Sequence, residues 1–251
     1  MNDLDKLLIA KTNDMYRLCD KHCTPQFSYF LNEAEQALIK NEIGNKYGYN
    51  CCYFGGFTDA QRKVFGVFPE WQEAEYNSFP IRAVKVTKTY AKELTHRDFL
   101  GSVMSFGIER EQVGDIVIDD DTAYIFMILD MADYVAMNLK KIGNIGVKSS
   151  VVNINEINAL PKAKFKIINA VAASKRLDAV VAAMLKISRK DSSSLILSQG
   201  VSVNHIPIKD TSFLLKEDDV ISVRGHGRFV FLGVGNETRS QRIHIEVKKF
   251  I

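Results

Sequence analysis

One stretch limits what this chain can become more than any other: residues 174–228, which begin SKRLDAVVAAMLKISRKDSSSLILSQG. Ser174 is a candidate N-cap, because a hydroxyl there can accept from the unpaired N–H groups of a first helical turn. Leu177, Val180, Val181, Met184 and Leu185 then recur at helical spacing. Ser188 followed three residues later by Asp191 marks a second helix start. Leu195 and Ile196 give that helix a small apolar face, and Gly200 is expected to stop it. Val201 and Val203 alternate with Ser202 and Asn204, as in a half-buried strand, and Val220, Ile221 and Val223 predict another. Two short helices and a tight β unit with cations at their corners are therefore expected.

The same residues carry a resemblance. Arg176-Leu177-Asp178, Ser188-Arg189, Gly200-Val201-Ser202-Val203-Asn204 and Asp219-Val220-Ile221-Ser222-Val223-Arg224 resemble, in order and spacing, the RNA-binding domain named after the fourth protein of the small ribosomal subunit, here the S-four domain. Two departures concern turns. The family usually has Gly-Asp where this chain has Asp218-Asp219, and Asp tolerates a left-handed backbone. It usually has Asn-Gly where this chain has Asn204-His205, which leaves that turn's geometry open.

Composition narrows the setting. The chain has 251 residues, room for two or three small domains, with the apolar and charged fractions of an ordinary globular protein. No apolar run is long enough to span a bilayer and no signal peptide opens the chain, so a cytoplasmic protein is expected. Cys19, Cys23, Cys51 and Cys52 are expected to be reduced thiols that pack. A zinc site of Cys19, His22, Cys23 and one of the adjacent pair lacks the usual knuckle spacing. The net charge of +3 is unevenly shared: residues 170–251 hold 13 Lys+Arg against 8 Asp+Glu, and residues 1–169 hold 20 against 22. The cationic excess at the S-four end points to a polyanion docking there.

Upstream, the chain reads as α+β. Residues 3–22 form an apolar helical face, and Thr24-Pro25 is expected to start a second helix through Phe27, Phe30, Leu31, Ala34 and Leu38, giving an N-terminal helical hairpin. Tyr49–Phe54 is a strand and Gly55-Gly56-Phe57 its turn, making a small α/β unit over residues 1–78. Residues 79–160 alternate as β-α-β-β-α-β, a ferredoxin-like order that RNA-recognition folds share. In it Thr95 and Asp98 open one helix, Asp130 caps another, and Lys140-Lys141 sit in the second helix's last turn. The usual aromatic stacking motif of RNA-recognition domains is absent from these strands. Pro161 reads as a linker. Residues 170–251 are the S-four domain, with an added β-hairpin turning at Gly235-Asn236.

Gly55-Gly56-Phe57 with Ala60-Gln61-Arg62, and Thr95-His96-Arg97-Asp98-Phe99-Leu100-Gly101 with Gly107-Ile108-Glu109-Arg110 and Gly114-Asp115-Ile116, resemble the YlmH-type bacterial proteins over nearly the full length. The resemblance implies a non-enzymatic RNA-binding factor of the translation machinery. It implies rRNA or tRNA on the large ribosomal subunit as partners and a part in rescuing stalled, tRNA-blocked subunits. No cofactor, membrane or small-molecule substrate is expected.

The residues expected to hold RNA are Lys175, Arg176, Ser188, Arg189, Lys190 and Asn204 of the S-four core, and Arg224, His226 and Arg228 of its glycine-flanked turn. The two helices and the turn are expected to form one positive shelf, with arginine forks gripping phosphates. Asp178 reads mainly as structural, and Ser188 as a cap before a ligand. In the central domain His96 and Arg97, in a helix's first turn, are either RNA contacts, catalytic groups, or an exposed turn with Arg97 paired to Asp98; Lys85 and Lys88 are expected to extend the basic track. The competing readings are enzymes. Arg176-Leu177-Asp178 is similar to the run around the catalytic aspartate of pseudouridine synthases, and a peptidyl-tRNA hydrolase-like activity would need a positioned histidine, for which His96 with Asp98 is thin.

Overall fold

The computed structural model describes residues 3–44, 49–90, 94–157, 160, 165–238 and 241–250. The chain divides into two compact units, 1–161 and 162–251. The Pro161 linker expectation lies outside the described residues, and the boundary expected after residue 78 falls inside the first unit.

The first unit opens with α1 (Asp3–His22), β1 (Gln26–Leu31), α2 (Glu33–Glu42), β2 (Tyr49–Phe54) and β3 (Lys63–Pro69), the strands forming an antiparallel sheet in the order β1-β3-β2. The expected helical hairpin is thus corrected: Gln26–Leu31 is a strand between the helices. The helical spacing of Phe27 and Phe30 arises from an irregularity in register between them. A bulge puts residues three apart on one face of a strand, as a helix would. Both rings pack in one core cluster. Helix α2 starts instead at Asn32, whose side chain accepts from Glu35 N–H while the Glu35 carboxylate accepts from Asn32 N–H. Strand β3, unforeseen, is buried on both faces because the sheet is covered on both sides.

The central part follows as β4 (Ile81–Lys88), α3 (His96–Met104), β5 (Val113–Asp119), β6 (Thr122–Ile128), α4 (Leu129–Asn138), β7 (Lys141–Ile142) and β8 (Ile145–Val152). Its antiparallel sheet runs β5-β6-β4-β8-β7, the ferredoxin-like order with a two-residue extension. Thr95 and Asp98 form the expected capping box. Asp130 lies in the first turn of α4 without capping it, since the helix runs straight on from β6. Lys140-Lys141 lie beyond the helix: Ser149 Oγ donates to the carbonyls of Ala136 and Leu139 and closes it, and Lys141–Ile142 turn back on β8.

Alternation sends Val84, Val86, Ala123, Ile125 and Met127 towards α3 and α4. It sends Ile81, Ala83, Phe126 and Ile128 to the other face, where they share a core with Phe30, Val64, Phe68 and Phe79. The N-terminal sheet therefore covers the face on which an RNA-recognition fold would display its bases.

The second unit comprises β9 (Phe165–Ala172), α5 (Leu177–Leu185), α6 (Arg189–Leu197), β10 (Val201–Val203), β11 (Ile206–Pro207), β12 (Val220–Val223), β13 (Gly227–Glu237) and β14 (Ile243–Phe250). They form one antiparallel sheet, β11-β10-β12-β13-β14-β9, with α5 and α6 packed on its inner face. Strand β13 runs through Gly235-Asn236, so the added hairpin turns further on, where Gln241 N–H donates to the Thr238 carbonyl. Helix α6 ends through Gln199, which takes the left-handed conformation expected of Gly200, at φ 56°. Asn204 and His205 are both left-handed, at φ 47° and 68°, so the Asn-His pair makes the tight hairpin turn that Asn-Gly would. Asp218 takes φ 66° where the family has glycine.

Candidate nucleic-acid interface

The site is built around Asp178. A strap from residues 210–215 pins the start of α5: Leu177 N–H donates to Phe213 O, Asp178 N–H to Thr211 O, and Leu215 N–H to Lys175 O. Arg176, not Ser174, is the N-cap residue, although Ser174 Oγ accepts from Arg176 N–H. Asp178 is buried, 4 % exposed. Its backbone carbonyl accepts from the buried Ser192 hydroxyl of α6. Its carboxylate accepts from Arg176 Nε and Nη2, each at 3.2 Å, and from Arg189 Nη2. Burial pushes this carboxyl up, but the hydrogen bonds and charges of the two arginines outweigh it and hold it below the usual range.

The result is a triad of net charge +1 with a buried anion and two solvent-facing cations. The Arg176 and Arg189 side chains stay 41 % and 49 % exposed, against 5 % for Asp178. Each guanidinium carries five N–H donors and spends one or two on Asp178. The remaining donors belong to side chains left about half exposed, with the planes already oriented by the aspartate, which lowers the ordering cost of gripping a phosphate. Exposed Lys190 and Lys175 follow Arg189 and precede Arg176 in the chain. Ser188 serves as the cap: its hydroxyl accepts from Asp191 N–H and donates to the Asp191 carboxylate.

The glycine-flanked turn forms a second group. Arg224 N–H donates to Gly200 O, which places the turn just past the C-terminal end of α6. Arg189 opens that nine-residue helix, so about 13 Å of helix separates the two groups. Gly225 and Gly227 have φ of 80° and 96°, and Arg224 and His226 are exposed between β12 and β13. Arg228 lies over the Phe250 ring, its Cζ 4.7 Å from the centroid. Asn204 is committed to the fold, donating to Asp219 Oδ1 and accepting from Val220 N–H. The turn needs this brace because both central residues are left-handed.

In the first unit the expected basic track along β4 does not form. Lys85 and Lys88 are three residues apart on a strand and so face opposite ways. The Lys88 side chain is 9 % exposed and lies 3.5 Å from Asp121. Asp98 accepts from the Thr95 N–H and hydroxyl, which occupies it as a cap. His96 and Arg97 are exposed in the first turn of α3. Protein packed around the imidazole and the Arg110 charge push its pKa below the usual value, with Asp115 opposing. Two arginines that the sequence reading named but gave no role lie nearby. Arg62 donates to the carbonyls of Phe30, Arg110 and Val113, and Arg110 to those of Val113 and Gly114. They stitch the N-terminal sheet to β5 through backbone oxygens, a role that no sequence spacing announces.

Among the described residues no group of acidic, histidine and cysteine side chains is arranged to hold a metal ion, and no helix is long and apolar enough to cross a membrane. Cys19 is buried and Cys51 Sγ lies 3.3 Å from the Tyr16 hydroxyl. Burial raises the pKa of both thiols and pushes that of Cys52 up to about 11, with the neighbouring Cys51 adding to it.

Comparison with known proteins places these parts. Residues 73–156 match the family described as "Putative RNA-binding domain in YlmH", and residues 175–221 match the S4 domain. The chain carries a YlmH RNA-binding domain and an S4 domain. A curated relative, the "Ribosome-associated protein quality control protein P2" of Bacillus subtilis (strain 168), is 27% identical over 248 residues, covering 98% of this chain and 95% of that one. The solved "Cell division protein ylmH from Streptococcus pneumoniae" superposes with a TM-score of 0.52 at 26% identity, over 62% of this chain and 95% of that one. The Asp178 triad lies inside the S4 match, and the exposed His96–Arg97 turn inside the other.

Proposed function

We propose that the chain is a non-enzymatic cytoplasmic factor that binds rRNA or tRNA on the large ribosomal subunit and acts in the rescue of stalled, tRNA-blocked subunits. The observation that carries the reading is the triad: a buried carboxylate holds two arginines half-exposed at the start of the S4 helix pair. Such a surface suits the phosphates of a folded RNA. Two RNA-binding domains in one chain and a relative named for ribosome-associated quality control supply the setting.

The groups that the enzymatic alternatives would use are engaged in the fold. Asp178 is buried and held by two arginines, which leaves a poor nucleophile. Asp98 caps α3 by accepting from the Thr95 N–H and hydroxyl, which leaves less of its carboxylate to orient a histidine base.

The test is co-sedimentation of the full chain with purified large subunits on a sucrose gradient. The parent chain should travel with the subunit, and Arg189→Ala with Lys190→Ala should remain at the top. Equal co-sedimentation of both would remove the triad from the interface. Release of peptide or a modified nucleotide from total RNA, lost in Asp178→Ala or His96→Ala, would overturn the non-enzymatic reading.

A further inference from the structure

Among the described residues, helices pack on one face only of the six-stranded sheet of the second unit. Alternation sends Phe229, Phe231, Ile245 and Val247 into the core with α5. The intervening residues share the other face. There Phe165 of β9 stands opposite Phe250 of β14, and Ile167 stands opposite Lys248. Lys248 in turn pairs with Val230 of β13. Phe165 is 51 % exposed, Ile167 37 % and Val171 41 %. Single exposed apolar residues need no explanation, but a row on one open sheet face marks a contact surface.

Cations sit on the rings. Lys248 Nζ lies 4.2 Å from the Phe165 centroid and 5.5 Å from that of Phe250. Arg228 Cζ is 4.7 Å from the Phe250 centroid. Arg228 begins at the turn that carries exposed Arg224 and His226, so the positive turn and the two rings share one end of the sheet. The carboxylate of this face on β14, Glu246, stands further along, opposite Asn169. Adjacent aromatic faces interleaved with cations are what an unpaired nucleic-acid strand needs. Its bases stack on the rings whatever their identity, and its phosphates meet the cations. An acidic protein could meet the cations, but it would not require two rings in register.

We propose that this open face is a single-stranded RNA platform on which bases stack against Phe165 and Phe250 while Lys248 and Arg228 hold the flanking phosphates. The ammonium that covers Phe165 in the absence of RNA swings on its flexible stem to a phosphate, and a base takes its place over the ring. The platform is separate from the triad, because α5 and α6 pack against the opposite face of the sheet. It shares with the previous section only the premise that the partner is RNA.

Fluorescence anisotropy of the full chain with a labelled oligouridylate of about twelve nucleotides tests it, since that length can span such a platform. Phe165→Leu keeps an apolar side chain on the strand but removes the stacking face, and Phe165→Tyr restores it. Phe165→Leu and Lys248→Ala should each weaken binding about tenfold. Phe165→Tyr should stay within about twofold of the parent, because it keeps the stacking face. Failure of the triad would show instead as unchanged co-sedimentation of the Arg189→Ala, Lys190→Ala chain with the large subunit. The platform is overturned if the parent does not bind the oligonucleotide, or if Phe165→Leu binds it as tightly as Phe165→Tyr. It is also overturned if Phe165→Leu changes the sedimentation coefficient of the free chain, which would mean that protein covers this face.

Discussion

Asp178 orders the basic corner of the S4 helix pair, and removing its charge should be felt twice. Asp178→Ala leaves two half-exposed guanidinium groups without their shared anion, and the lost charge-assisted hydrogen bonds are expected to cost about 1.5–3 kcal/mol in urea unfolding. Its folded pKa is depressed, so its stabilising contribution is full above the unfolded value and disappears as pH falls through the lower folded one. The parent should therefore lose stability below about pH 4, and Asp178→Asn should flatten that limb of the curve. His96 has the opposite consequence. Its folded pKa is also lowered, but it is a base, so the unfolded chain takes up the proton first and the histidine detracts from stability as pH falls below its usual value. Proton NMR should show it titrating below about 6.5 in the free chain, and upward on RNA binding if a phosphate lies against it. Thiol reactivity should be just as local: Cys23, exposed at φ 52°, is expected to alkylate quickly, and buried Cys19 only on unfolding. Ser188 as a cap and the pairing of Asp178 with Arg176 were legible because each acts within a few residues of itself, whereas the Arg189 half of the brace comes from the next helix. The commitments of Asn204 to Asp219 and of Lys88 to Asp121 were not, because each partner is many residues away.

At the level of elements, short-range chemistry was readable and long-range pairing was not. The capping box of Thr95 and Asp98, the strands of the central sheet and both S4 helices follow from local spacing. Strand β1 misled because its bulge mimics a helical period. Strand β3 was missed because a segment buried on both faces shows no alternation. Its Gly66 records how closely the layers meet, since a Cβ there would stand 2.8 Å from Phe79 Cζ and 3.0 Å from Phe68 Cε2. Gly66→Ala should destabilise the first unit by about 1–3 kcal/mol, read as a lowered urea midpoint with an unchanged slope. An unshifted midpoint would mean that the N-terminal sheet does not pack on the central one as described.

For the whole molecule, layering decides where RNA has access. The ferredoxin-like sheet is sealed by the N-terminal sheet on one face and by its own helices on the other. Its topology was legible from the element order, but that seal was not, since it depends on Phe30, Val64 and Phe68 meeting Phe126 far along the chain. The cationic excess of residues 170–251 is consistent with RNA recognition in the second unit. The expected single shelf is instead two groups at opposite ends of α6, one held by Asp178 and one on the glycine turn. The most direct measurement is the salt dependence of affinity for a structured ribosomal RNA fragment, parent against Arg176→Ala with Arg189→Ala. If both arginines hold phosphates, the magnitude of the log–log slope should fall by roughly 1.4–1.8 in the variant. An unchanged slope and affinity would contradict the claim that the S4 helix pair is the grip.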